Sequence, residues 1–133
     1  MTPWPASRTI ILVSKRDDHH VRRLSDKLKE SLSVVRILRF YSLDELASAM
    51  VDVDKASTIL VLMLHGDDMA ESFVFLRRDR ALRTSRMILI LPETEGPLMQ
   101  TALSLRASYI THLESAYDDV MDVLLKMGMP LPA

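Results

Sequence analysis

Five short apolar runs alternate along the chain with segments whose apolar residues have a helical spacing. The runs are residues 9–14, 34–40, 57–64, 87–91 and 108–112. The first, third and fourth are apolar on both faces, which is typical of strands that helices cover on both sides of a parallel sheet. The second carries Arg36 and Arg39, and the fifth is short and mixed in character. The pattern therefore predicts three central strands and two edge strands.

The segments between the runs predict five helices, each with an apolar stripe at intervals of three or four residues. Ser42 followed by Glu45 resembles a capping box at the start of the second helix, which we expect to end near Val51. We expect the third helix over residues 70–82, Pro97 in the first turn of the fourth, and the fifth to end before Gly128 and Pro130. The stripes of the first, third, fourth and fifth helices are Val21, Leu24, Leu28 and Leu32; Met69, Phe73 and Leu76; Leu98, Ala102 and Leu105; and Tyr117, Val120, Met121, Leu124 and Leu125.

Strands that alternate with helices of this length indicate an α/β fold built from βαβ units with right-handed crossovers. In such folds small molecules and ions bind outside the carboxyl ends of the strands. The residues that follow each strand are therefore the first candidates for a functional site.

The length and composition predict one domain over residues 1–133, with flexible ends at 1–7 and 128–133. Hydrophobic residues make up 48% of the chain and aromatic residues only 5%, so the core is expected to be aliphatic and rich in Met. Cys is absent, which excludes disulfides, thiolate zinc sites and a cysteine nucleophile. Lys and Arg number 17 against 18 Asp and Glu, and this balance favours neither a nucleic acid nor a membrane partner.

Targeting and catalytic motifs are also missing from the sequence. The first residues lack the basic and apolar regions of a secretory signal, and the longest apolar run falls far short of the ~20 residues of a membrane helix. The sequence has 3 glycines, no phosphate-binding glycine loop and no nucleophile elbow. We therefore expect a cytoplasmic protein that is not an enzyme and uses no cofactor.

The order of elements, "LRR" late in the third helix and "ASYITH" at the fifth strand resemble the receiver domains of two-component response regulators. The resemblance extends over residues 8–127. It implies a flavodoxin-like (βα)5 fold with a parallel five-stranded sheet in the order 2-1-3-4-5, and a bacterial signalling protein.

A receiver moves a phosphoryl group from a histidine kinase to its own aspartate. The resemblance implies an acidic pair after the first strand that holds Mg²⁺, an aspartate nucleophile after the third, a hydroxyl after the fourth and a lysine after the fifth. The corresponding residues here are Ser14 and Lys15, Met63 or Leu64, Leu91 or Pro92, and His112. Every catalytic position has changed, which predicts a degenerate receiver that lacks the phosphoacceptor Asp.

Several acidic residues and histidines near these strand ends allow an alternative. Asp17 and Asp18 are expected to cap the first helix, and Asp67 and Asp68 the third. If the two loops converge, Asp17, Asp18, His65 and Asp67 would bind a divalent cation, and His65 with His112 and Asp67 would suit a transition metal or a pH sensor. We expect no metal, and we expect His19 and His20 to be surface residues.

Two further surfaces are candidates for binding a partner. The basic patch of Arg77, Arg78, Arg80, Arg83 and Arg86 would suit an acidic partner, but a solvated face is the simpler interpretation. The resemblance implies a dimer or output surface on the fourth helix, fifth strand and fifth helix, although the same residues would also suit the core. The candidate interface residues there are Leu98, Met99, Leu103, Tyr109, Tyr117 and Met121.

Three functional hypotheses follow. The first is a non-catalytic, phosphorylation-independent signalling module that acts by binding a protein partner or by dimerising. The alternative is a sensor of a small ligand or divalent metal at the carboxyl edge of the sheet. A third is an unorthodox receiver that is phosphorylated on Asp67 or Asp17.

Overall fold

Five parallel strands form one sheet in the order β2-β1-β3-β4-β5. The computed structural model describes residues 8–32, 35–66, 69–92 and 97–128. Within these ranges the strands are β1 (Arg8–Ser14), β2 (Val35–Phe40), β3 (Thr58–Met63), β4 (Met87–Leu91) and β5 (Tyr109–His112). The predicted flavodoxin-like fold, its strand order and its two edge strands are confirmed.

Helices occupy both faces of this sheet. They are α1 (His19–Ser31), α2 (Leu43–Ala49), α3 (Met69–Arg78), α4 (Arg80–Arg83), α5 (Pro97–Ser104) and α6 (Asp118–Lys126). Two 3-10 turns, Met50–Asp52 and Lys55–Ser57, connect α2 to β3. Among the helices in the described ranges, none is both long enough and apolar enough to cross a bilayer.

The core consists of two aliphatic layers, one on each face of the sheet. Ile10 and Leu12 of β1 point to the face that α1 and α6 cover, while Ile11 and Val13 point to the face of α2, α3 and α5. All residues of β3 and β4 are buried. This explains why both strands are continuous apolar runs rather than alternating ones.

The predicted third helix over residues 70–82 is wrong in one respect, because it is divided at Asp79. The backbone of Asp79 is extended (φ −81°, ψ 113°), which ends α3 at Arg78. The Asp79 carboxylate then accepts a hydrogen bond from the backbone N–H of Leu82 at 3.0 Å. Asp79 is thus the N-cap of the separate short helix α4, which a stripe of apolar residues cannot predict.

Two predicted caps are confirmed. Asp18 accepts hydrogen bonds from the backbone N–H groups of His20 (3.1 Å) and Val21 (3.3 Å), and Ser42 accepts one from that of Glu45 (3.1 Å). Each cap satisfies donors that the first turn of a helix leaves unpaired. The predicted caps Asp67 and Asp68, and the expected ends at 1–7 and beyond Gly128, lie outside the described residues.

Candidate functional site at the carboxyl edge of the sheet

The strand ends that correspond to a receiver's phosphorylation site lie side by side at one edge of the sheet. Met63, the last residue of β3, is in register with Ser14 of β1 and with Ile90 of β4. Ser14 and Met63 are each 1% exposed, and Leu64 is 3% exposed. The alternative between Met63 and Leu64 is therefore resolved in favour of Met63 as the strand end, and both side chains make this part of the edge apolar.

The other two predicted positions complete the same edge. Leu91 ends β4 and is buried, and Pro92 follows it and is half-buried. Leu91 is in register with His112, which ends β5 and is exposed to solvent. The structure thus brings the predicted positions into one row, with aliphatic side chains at its centre and an imidazole at one end.

Arg39 of β2 reaches across this edge, and the sequence analysis did not identify this contact. One nitrogen, Nη2, donates hydrogen bonds to the backbone carbonyls of Ser14 (2.9 Å) and Arg16 (3.0 Å). The guanidinium carbon also lies 4.1 Å from the centroid of the Tyr41 ring, a cation–π contact. A positively charged side chain therefore fixes the loop after β1. In the sequence, Arg39 indicated only an edge strand. A contact between residues of different strands leaves no pattern in the neighbouring sequence that could predict it.

A hydroxyl and an imidazole are buried together beside Met63. Ser14 Oγ donates a hydrogen bond to the Arg16 carbonyl at 2.8 Å and lies 3.4 Å from His65 Nε2. His65 is 3% exposed, so this loop histidine is buried rather than solvated. The pair gives this part of the edge a polar centre.

His20 joins the start of α1 to the loop after β5, which corrects the expectation that it is a surface residue. His20 Nε2 lies 3.0 Å from Glu114 Oε1, and Nδ1 lies 3.6 Å from Asp18 Oδ2. The His20 side chain is 13% exposed, and its ring centroid lies 4.0 Å from that of the exposed His19. The imidazole is therefore held between two carboxylates.

These contacts affect the ionisation of both carboxyls. Burial raises the pKa of Asp18, but the hydrogen bond from Val21 and the charge and hydrogen bond of His20 outweigh it, and the pKa lies below its ordinary value. The hydrogen bond and charge of His20 also hold the pKa of Glu114 below its ordinary value. Both groups are carboxylates at neutral pH.

The candidate metal ligands do not converge in the part of the chain that the structure describes. Asp17 is exposed, Asp18 caps α1, and Asp67 lies outside the described residues. His65 and His112 follow β3 and β5, which β4 separates. Over the described ranges, no three His, Asp or Glu side chains form a group that could hold a metal ion.

Tyr117 anchors the loop between β5 and α6 and belongs to the core. Its side chain is fully buried, and its hydroxyl donates a hydrogen bond to the Leu113 carbonyl at 2.9 Å. Arg23 of α1 donates to the same carbonyl at 3.1 Å and to that of Ser115 at 2.8 Å, and its guanidinium lies 4.9 Å from the centre of the Tyr117 ring. Burial raises the pKa of the Tyr117 phenol. Met121 is also buried, so both residues are removed from the candidate interface.

Asp119 holds β5 against α6 through three hydroxyl groups. Its carboxylate accepts hydrogen bonds from Tyr109 (2.9 Å), Thr111 (2.8 Å) and Ser115 (2.7 Å). Burial raises the pKa of Asp119, but these three hydrogen bonds outweigh it and hold the pKa below its ordinary value. The hydrogen bond to Asp119 and burial raise the pKa of Tyr109.

The candidate interface is therefore smaller than the sequence suggested. Leu103 is 54% exposed, and Met99 and Tyr109 are half-buried. Leu98 belongs to α5, but its side chain lies outside what the structure describes. An apolar stripe contains both core and surface positions, and the stripe alone does not show where one ends and the other begins.

The basic patch is divided between structural and solvated residues. Arg86 donates to the backbone carbonyls of Ala56 (2.9 Å) and Met127 (3.3 Å), and Arg77 donates to the Ser104 hydroxyl at 3.2 Å. Arg78, Arg80 and Arg83 are exposed. Arg86 thus joins the connection before β3 to the end of α6, a role that its place in a run of arginines did not indicate.

Comparison with known proteins adds evidence about the fold. No protein-family model and no curated protein matches this sequence. A solved structure of RcsB from Salmonella enterica serovar Typhimurium, bound to promoter rprA in the presence of phosphomimetic BeF3-, is similar to this chain with a TM-score of 0.66 and 14% identity. The similarity covers 89% of this chain and 66% of the other, so this chain spans slightly less than two thirds of that protein. Together with the strand order, this likeness shows a flavodoxin-like fold of the receiver type.

Proposed function

We propose that the chain is a signalling module of the two-component receiver type that works without phosphorylation and without catalysis, through contact with a protein partner or a second copy of itself. The observation that carries this proposal is the position of Met63, buried at the end of β3 between Ser14 and Ile90. A cytoplasmic location is part of the same proposal.

The chemistry of phosphoryl transfer supports it. An acyl phosphate forms when a carboxylate oxygen attacks phosphorus, and Met63 has no oxygen and no ionisable group. Receiver-type catalysis also needs carboxylates that hold Mg²⁺ at this edge. Here the loop after β1 begins with Ser14 and Lys15, and Arg39 binds two of its carbonyls. Lys15 therefore occupies a position where the resemblance to receivers implies a carboxylate that holds Mg²⁺.

The similar RcsB structure was determined with promoter DNA, which is a property of that protein. For this chain we propose no direct contact with nucleic acid and none with a membrane. The formal net charge of −1 supports this, because binding to phosphate backbones depends on clustered positive charge. Signalling would then pass through protein contacts.

The proposed contact surface consists of Met99 and Leu103 of α5 and Tyr109 of β5. Leu103 supplies the largest exposed apolar contribution among these three, with 54% of its surface exposed. Aromatic residues and Met are enriched at protein interfaces, which supports the choice of this face. Val74 of α3, 49% exposed on another helix, is a suitable control because its exposure is similar.

Light scattering during gel filtration tests the proposal. We expect concentration-dependent association that Leu103→Glu abolishes, that Val74→Glu preserves, and that acetyl phosphate with Mg²⁺ leaves unchanged. A chain that stays monomeric at every concentration would contradict the dimer. Association that appears only after acetyl phosphate is added would contradict phosphorylation independence.

The alternative function, a sensor of small ligands, is favoured by a separate observation. A cavity opens between the carboxyl ends of β1 and β3, at the place where ligands bind in folds of this kind.

A further inference from the structure

A cavity of about 230 Å³ lies between the ends of β1 and β3 and the first turns of α2 and α3. We call it the switch-point cavity, because the chain leaves β1 for β2 on one side and returns to β3 on the other. Parallel α/β sheets bind ligands at this reversal of strand order. Its lining includes Val13, Met63, Leu64, Tyr41, Phe75 and Lys15.

Most of the buried or half-buried side chains that line the switch-point cavity are apolar, and Ser72 is a buried polar one. Val13, Met63 and Leu64 are buried residues at the ends of β1 and β3, and Phe75 of α3 is half-buried beside them. Tyr41 is 50% exposed, and the cation–π contact with Arg39 supports its ring from one side. A ligand in the cavity would therefore contact apolar side chains and an aromatic ring.

Two carboxylates lie at the rim of the cavity. Asp44 in the first turn of α2 and Glu71 in the first turn of α3 are both exposed and both line the cavity. Within the ranges that the structure describes, neither carboxylate makes a hydrogen bond or an ion pair. Lys15 is the one cationic side chain among the described lining residues, and the Arg39 guanidinium lies against the Tyr41 ring. Both cations belong to the side of the cavity near the end of β1, whereas the two carboxylates lie on α2 and α3.

We propose that the switch-point cavity binds a small amphipathic amine, whose apolar or aromatic body contacts Leu64, Phe75 and Tyr41 while its ammonium group lies between Asp44 and Glu71. The volume is below the ~300–1,000 Å³ of pockets for drug-sized ligands, which limits the ligand to a small molecule. The two exposed carboxylates disfavour anions, including phosphate, on the side of α2 and α3. This ligand would bind at the edge that receivers use for phosphorylation. It would supply the input signal of the phosphorylation-independent module proposed above.

An amide NMR titration of the whole chain with 2-phenylethylamine tests the inference. Its neutral analogue 2-phenylethanol and the anionic 3-phenylpropanoate serve as matched probes. We expect saturable shifts at Tyr41, Leu64 and Phe75 with the amine, weaker binding of the alcohol and the weakest binding of the carboxylate. Exposed ion pairs change affinity by about 1.5- to 5-fold each, so Asp44→Asn with Glu71→Gln should weaken amine binding about 2- to 25-fold.

The control variant is Asp26→Asn with Glu30→Gln, which removes two exposed carboxylates from α1, outside the cavity lining. It should bind the amine as the unaltered chain does. The inference is overturned if the amine gives no saturable shifts at the cavity, if the three probes bind equally, or if both double variants weaken binding by the same factor. These outcomes are independent of phosphorylation and of association through Leu103, so they are distinguishable from a failure of the proposed function.

Discussion

Introducing a carboxylate at the end of β3 is the most informative change that the structure suggests. Met63 is 1% exposed and belongs to an aliphatic cluster that includes Ile10, Leu12, Ile88 and Ile90. Met63→Asp would place an ionisable group there, in an edge where the other positions implied by the resemblance to receivers hold different residues. Met63→Asn has nearly the same shape without the charge and is the matched reference.

The expected loss of stability has a part that depends on pH and a part that does not. Removing a buried Met side chain costs about 2–5 kcal/mol, and this cost is common to both variants. Burial raises the pKa of the new carboxyl in the folded state above the value of about 3.9 in the unfolded state. The additional penalty is therefore nearly absent around pH 4 and grows as the pH rises to the folded-state pKa. Each unit of that shift adds about 1.4 kcal/mol.

Urea denaturation of both variants at about pH 4 and at pH 8 measures this difference. We expect Met63→Asp to be less stable than Met63→Asn by at least about 1.4 kcal/mol at pH 8 and by little at the lower pH. Met63→Leu should remain within about 1.5 kcal/mol of the unaltered chain, because it conserves volume and polarity. Equal stability of the Asp and Asn variants at pH 8 would refute the reasoning, since it would mean that this edge still accommodates a negative charge.

Two other predictions concern the loop between β5 and α6 and its neighbours. Tyr117→Phe should lower the free energy of unfolding, measured by urea denaturation, by about 1 kcal/mol. The double variant with Arg23→Met should lose about 0.5 kcal/mol or more beyond the sum of the two single losses, because the Leu113 carbonyl then loses both donors. Additive losses would contradict this. Asp119→Asn should cost about 1–2 kcal/mol at pH 7, and the loss should disappear as the pH falls below the unfolded-state pKa of about 3.9, because the folded state lowers the pKa of this carboxyl. This loss begins to shrink below about pH 3.9 and has disappeared only below the lower folded-state pKa. The exposed Asp122→Asn is the control on the same helix. An equal loss in both variants, or a loss that does not change with pH, would contradict the role of the three hydroxyl groups.

The sequence predicted the fold because its central strands are apolar on both faces. If residues 59–64 form a strand, both faces of that strand are apolar and must be covered. This predicts a parallel sheet with helices on both sides. The positions of Ser14, Met63 and His112 then followed from the resemblance to receivers, and the register confirms that they share one edge.

Other features could not be predicted, because they depend on contacts between distant residues. Nothing local indicates that Arg39 binds the carbonyls after β1 or that His20 contacts Glu114, 94 residues later in the chain. Tyr117 lies on an amphipathic stripe, but its left-handed backbone (φ 67°) and its buried hydroxyl depend on the Leu113 carbonyl and Arg23. Asp79 divides a helix through a cap that competes with the helical pattern.

The central claim is that this receiver-type fold does not use phosphoryl chemistry. An amide NMR titration with Mg²⁺, followed by beryllofluoride as a mimic of an acyl phosphate, tests it most directly. The account predicts no saturable shifts in the loops after Ser14, Leu64 and Pro92 at either step. Saturable shifts with Mg²⁺ alone would contradict the proposed loss of the cation site, and shifts that require beryllofluoride would show that another aspartate accepts the phosphoryl group.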